Sequence, residues 1–258
     1  MKKLITICAT VMLMSGLASA ADIDGWNAYV IRQGGGISPA INDVMFGGTT
    51  PAKEFVISAG NMKAAWGTNN LNGLTIGDIT ELAITRLDDP TRFIAGSGPA
   101  VAPYFNIWVT DGLGNFAVVA NEPSNGGEYP GTSEWNITDL AGKTAKAYEN
   151  SNVSWITNLA TTNNVAGLQF DDLYGLTIQA PTIAQLTASW TGLGGGAPRE
   201  LGTNVAYGFN WVFGDTLSNY VSGAQGYVVT NPIATPEPAT MCMLGLGALS
   251  LIRRRRAA

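Results

Sequence analysis

The chain has 258 residues, no histidine, two cysteines and a formal net charge of −5 at pH 7. Without histidine there is no Ser-His-Asp or Cys-His centre and no imidazole-ligated metal. The acidic balance argues against nucleic acid, whose phosphates call for concentrated positive charge, and leaves hydrolysis by paired carboxylates as the open enzyme chemistry.

The first element is a targeting segment. Lys2 and Lys3 form a basic start, residues 4–17 an apolar helix, and Ala18-Ser19-Ala20 a small-residue cleavage site, so signal peptidase is expected to release a chain beginning at Ala21. Residues 1–20 are thus read as a signal peptide. Cys8 lacks the small residues that a lipoprotein signal would place before it.

Residues 21–230 read as one domain, since no internal repeat, linker or charge block divides them. Short β-branched and aromatic runs separated by Gly, Asn and Thr predict strands near 28–31, 54–58, 79–87, 103–110, 116–121, 153–156, 165–170, 173–179, 184–190, 205–213 and 226–230. A helical turn or two is expected within 138–148. The clearest hairpin joins 104–110 to 116–120 through Asp111-Gly-Leu-Gly-Asn115, where Gly and Asn supply the positive φ of a tight turn. The run 206–213 alternates small or polar residues with aromatics, as a half-buried strand does. Regularly spaced strands predict an all-β fold, a single antiparallel β-sandwich.

Within that body, Gln169-Phe-Asp-Asp-Leu173 followed by Gly175-Leu-Thr-Ile178 resembles the late Asp-Asp strand of concanavalin-like jelly rolls in secreted adhesins and sugar-binding modules. Asp171 and Asp172 would offer oxygens to a structural Ca²⁺. The competing assignment has one aspartate capping the turn and the other facing solvent. Asp22, Asp24, Asp88, Asp89 and Asp111 read as turn carboxylates. The glycine-rich 192–196 stretch lacks a strand-to-helix context for phosphate and reads as a loop. About five of the seven tryptophans are expected in the core. Trp135 is the candidate for exposure, in a polar, glycine-rich segment where Tyr129 and Glu128 would help it bind a sugar.

Residues 231–234 read as a spacer, and 235–258 as a sorting signal. Pro236, Glu237 and Pro238 favour an extended chain. The 12 apolar residues 241–252 form a helix of about 18 Å, short of a hydrocarbon core of about 30 Å. Arg253, Arg254, Arg255 and Arg256 are expected to stay cytoplasmic. This order of motif, short helix and basic cluster resembles the PEP-CTERM signal of Gram-negative bacteria that make extracellular polysaccharide. The resemblance implies reading by a membrane peptidase, exosortase. A permanent tail anchor is the alternative that hydrophobicity alone leaves open.

Removing both ends takes Cys8 and Cys242 with them, leaving neither a disulfide nor a thiolate metal site. Of 14 Lys and Arg, 8 remain, and of 19 Asp and Glu, 18, so the exported domain carries −10. Glu122, Glu128, Glu134 and Glu149 are available to a hydrolase, but the Glu-x-Asp-x-x-Glu signature of concanavalin-like enzymes is missing. The expectation is an exported, non-catalytic surface or biofilm-matrix protein that binds or embeds in exopolysaccharide. It would be anchored transiently in the membrane and then placed at the cell surface or in the matrix. A secreted glycan-active hydrolase using paired carboxylates is the alternative.

Overall fold

The computed structural model describes residues 25–89, 103–121, 134–137, 140, 142–152, 154–155, 168–190, 193–214, 223 and 225–236. Twelve strands run through them: β1 (Trp26–Arg32), β2 (Ala40–Phe46), β3 (Thr50–Val56), β4 (Lys63–Thr68), β5 (Ile79–Arg86), β6 (Tyr104–Thr110), β7 (Phe116–Ala120), β8 (Glu134–Ile137), β9 (Lys146–Tyr148), β10 (Thr177–Ile178), β11 (Phe209–Phe213) and β12 (Tyr227–Pro236). They form two antiparallel sheets, ordered β1-β4-β11-β6-β7-β9, with β10 alongside β6, and β2-β3-β12-β5-β8. The chain is an all-β sandwich.

The expected hairpin is β6–β7, with Thr110 opposite Phe116. Gly112 (φ 76°) and Gly114 (φ 97°) supply the positive φ. Asn115 contributes differently: its side chain and amide, with the Leu113 amide, donate to the Asp111 carboxylate. Burial alone would raise the Asp111 pKa, but these hydrogen bonds outweigh it and hold the carboxyl below its usual range.

Between the sheets, alternate residues of β4, β6 and β11 (Trp66, Phe105, Phe209, Trp211, Phe213) meet Phe55, Leu82, Ile84, Tyr227 and Val229 of the other sheet in one core. Phe55 stacks on Phe213 with ring centroids 3.9 Å apart, so the two layers interlock through aromatic faces, each such pair adding about 0.5–1.5 kcal/mol beyond its buried area. Trp26, Trp66, Trp108 and Trp211 are buried, and Trp155 and Trp190 are half-buried.

Several elements differ from the sequence reading. β11 is buried along its whole length rather than half-buried, because the outer face of its sheet is covered as well: Val212 packs with Tyr29, Ile31, Ala65, Tyr104 and Tyr207, and Asn210 is hydrogen-bonded to Tyr29 and Tyr207. Gln185–Ser189 is a helical turn in place of a strand. Its Thr182-Ile-Ala-Gln185 start is a capping box, with Thr182 donating to Gln185 Oε1 from both N and Oγ1 and Gln185 N returning a bond to Thr182 Oγ1. Ser154 and Trp155 are helical, while Lys146–Tyr148, expected within a helical turn, is a strand on β7. β2, β4 and β8 went unpredicted, the last in the segment read as a loop around Trp135. β2 carries polar pairs across to β3, such as Lys53 Nζ donating to Asp43 at 2.6 Å, and β4 is alanine-rich.

Candidate functional site

The segment read as a sorting signal attaches to the body through β12, the central strand of the five-stranded sheet. Its first half is held on both sides: Tyr227, Val228 and Val229 pair with β3, and Val229 and Thr230 with β5. Asp88, read from sequence as a turn carboxylate, is buried here instead. It accepts from Arg86 Nε at 3.0–3.1 Å, from Arg86 Nη2 at 2.8 Å and from the Val228 amide at 2.8 Å. The Arg86 guanidinium lies 5.1 Å over the Tyr227 ring.

At Asn231 (φ 48°) the strand bulges, a left-handed conformation that Asn tolerates. Pro232, which has no N–H to donate, suits the break in the ladder. Beyond the bulge Ile233, Ala234, Thr235 and Pro236 resume pairing with Ala83, Leu82, Glu81 and Ile79 of β5. Residues 231–234 are thus part of a strand rather than a spacer, and the strand runs into the Pro-Glu-Pro motif. Pro236 is the last described residue. Glu237, Pro238, the apolar run 241–252 and Arg253 to Arg256 lie outside the described residues, as do Ala18, Ala20 and Ala21. Among the described residues no helix is long and apolar enough to cross a membrane.

The other candidates separate in space. Asp171 and Asp172 sit in a short 3-10 turn, Asp171–Leu173, where Asp172 Oδ2 accepts from the Gln169 amide at 2.9 Å and Asp171 is exposed. That is a cap plus a solvated carboxylate. Among the described residues no group of three or more acidic side chains could hold a metal ion. Trp135 lies on β8, the edge strand beside β5, opposite Ile84; its side chain and residues Glu128 and Tyr129 lie outside the description. The Gly194 amide of the glycine-rich loop donates to Glu149 Oε2 at 2.6 Å, so the loop's anion is one of the chain's own carboxylates.

A buried polar face went unnoticed in the sequence. Asn106 and Asn210, both fully buried, stand opposite each other on β6 and β11. Asn210 Oδ1 accepts from Tyr29 at 2.6 Å, its Nδ2 donates to the Tyr207 carbonyl, and Asn106 Nδ2 donates to Tyr148 at 2.6 Å. Lys63, also buried, lies 5.4 and 5.6 Å over the rings of Tyr104 and Tyr148 and donates to the Gly196 carbonyl at 3.3 Å. A clue was present: one asparagine interrupts each of two otherwise apolar aromatic runs.

A family model described as the PEP-CTERM protein-sorting motif matches residues 234–256. This chain carries a PEP-CTERM sorting signal. No curated protein and no solved structure matches the chain, so the jelly-roll likeness has no structural neighbour behind it.

A PEP-CTERM signal is processed by exosortase, a membrane protein, and supports export with transient anchoring before release at the surface. The matched segment begins at Ala234, inside β12. The signal therefore shares Ala234, Thr235 and Pro236 with the sheet.

Proposed function

We propose that the chain is an exported, non-catalytic β-sandwich that works at the cell surface or in the extracellular matrix in association with exopolysaccharide. Signal peptidase would trim its first end and exosortase its last. The observation that carries this reading is the sorting signal at 234–256, joined without a spacer to an all-β body. An exported charge of −10 keeps such a domain soluble and hydrated among polymer chains. The edge strand β8 puts Trp135 at a sheet margin, next in sequence to the segment holding Tyr129 and Glu128. There an indole face would stack on a sugar ring and the carboxylate would take its hydroxyls. The non-catalytic part is supported by Glu149, one of the four glutamates open to a hydrolase, being engaged with the Gly194 amide.

Co-sedimentation of the exported chain with the extracellular polysaccharide of its own host tests the reading. Binding is expected, weakened at least fivefold by Trp135→Ala, with no release of reducing sugar on long incubation. No binding to any polymer on a broad glycan array would refute the association, and steady sugar release would establish a hydrolase instead.

A further inference from the structure

With β12 docked, residues 237–240 alone join the end of the sheet to the apolar run beginning at Met241, a reach of about 13–14 Å when fully extended. With the apolar run seated in the membrane, as the sorting reading has it, that reach would hold the folded domain close to the membrane surface, over the segment that a membrane peptidase has to grasp. A peptidase also takes its substrate as extended chain on both sides of the cut. Here the residues preceding Glu237 are committed to a neighbour: Ile233, Ala234, Thr235 and Pro236 pair with β5, and Thr80 Oγ1 donates to the Thr235 carbonyl at 3.3 Å.

The strand is built so that this end can leave alone. Asn231 and Pro232, set against the single residue Ile84, interrupt the ladder. Residues 227–230 before the break are buried and held by β3, β5 and the Arg86–Asp88 pair. Residues 233–236 after it are half-buried or exposed, and Pro236 has no amide to contribute.

We propose that residues 233–236 are a processing gate. Docked on β5, they keep the motif too short and too engaged for exosortase. Detached at the bulge, they double the free tether to about 26–29 Å and present an extended chain, while the rest of the sandwich stays folded. The inference rests on the sorting reading, and its test separates the two.

The test uses the full chain in its own host, with the C-terminus of the exported product read over time by mass spectrometry. Thr235→Cys combined with Glu81→Cys places a pair of opposed residues, one exposed and one half-buried, where a disulfide would pin the gate shut. The oxidised chain is expected to be trimmed at least tenfold more slowly than the parent, and a mild reductant to restore the parental rate. A six-residue Gly-Ser insertion between Thr235 and Pro236 is expected to abolish the effect of the crosslink. Trimming of the oxidised chain at the parental rate would overturn the gate. So would a block that persists after reduction, or one that survives the insertion, because the cause would then lie outside the docked strand end. A parent chain that is never trimmed would sink the sorting reading itself.

Discussion

Tyr29 shows how a single buried hydroxyl ties two strands of one sheet together across β4, which lies between them. Its phenol donates to Asn210 Oδ1 at 2.6 Å, and burial first, then Tyr207, Tyr148 and Glu200, push its pKa well above the ordinary value. Tyr29→Phe leaves a buried amide oxygen without that donor, so a loss of about 1–3 kcal/mol at neutral pH is expected in urea unfolding. A raised folded pKa means stability that is complete below about pH 10, the unfolded value, and lost as pH climbs toward the folded one. The parent is therefore expected to weaken above pH 10 more steeply than the phenylalanine variant, and equal alkaline slopes would contradict this. Asp111 works in the opposite sense. Its depressed pKa gives stability present above the unfolded value and lost as pH falls. Asp111→Ala should cost about 1 kcal/mol at pH 7, with the gap to the parent narrowing below about pH 4. Asp111 was readable as a turn residue because its partners lie within four positions. Asn106 and Asn210 were not, because an asparagine in a strand looks solvent-facing until a segment remote in sequence is seen to cover it.

At the level of elements, β12 is stabilised where it is clamped and loose where it leads outward. The buried Arg86–Asp88 pair fastens the end of β5 to Tyr227 and Val228. Asp88→Ala removes the carboxylate from a buried guanidinium and the acceptor from the Val228 amide, so a loss of about 3–5 kcal/mol is expected, measured as a drop in the denaturant midpoint. A loss below about 1 kcal/mol would mean that water reaches Arg86, as it does for exposed pairs. The hairpin β6–β7 was legible from turn chemistry and alternation, because both are local. The helical turn at Gln185–Ser189 was misread although its capping box was written in Thr182 and Gln185. The β-branched and apolar residues around it suggested a strand, and the box, with its reciprocal hydrogen bonds, decided the backbone. The expected spacer became strand for a different reason. Ile233 and Ala234 find partners in Ala83 and Leu82, roughly 150 positions earlier, and no local signal announces such a pairing.

For the whole molecule, sorting and folding are separable functions that meet at three residues. Replacing Pro236, Glu237 and Pro238 together by alanine is expected to leave the sandwich folded while full-length chain accumulates in the membrane fraction, seen by fractionation and immunoblotting. Normal release of that variant would remove the motif from the route. What the sequence determined unaided is the sorting address at residues 234–256 and the all-β class. Export signals are read by other proteins as contiguous peptide, and strand alternation repeats over a few residues, so both survive in one dimension. Tertiary structure alone decided which strands are central, which polar groups are buried and how close the sorting motif lies to the sheet. Those follow from the mutual fit of two aromatic-rich layers, and the free energy of that fit belongs to pairs of residues far apart along the chain.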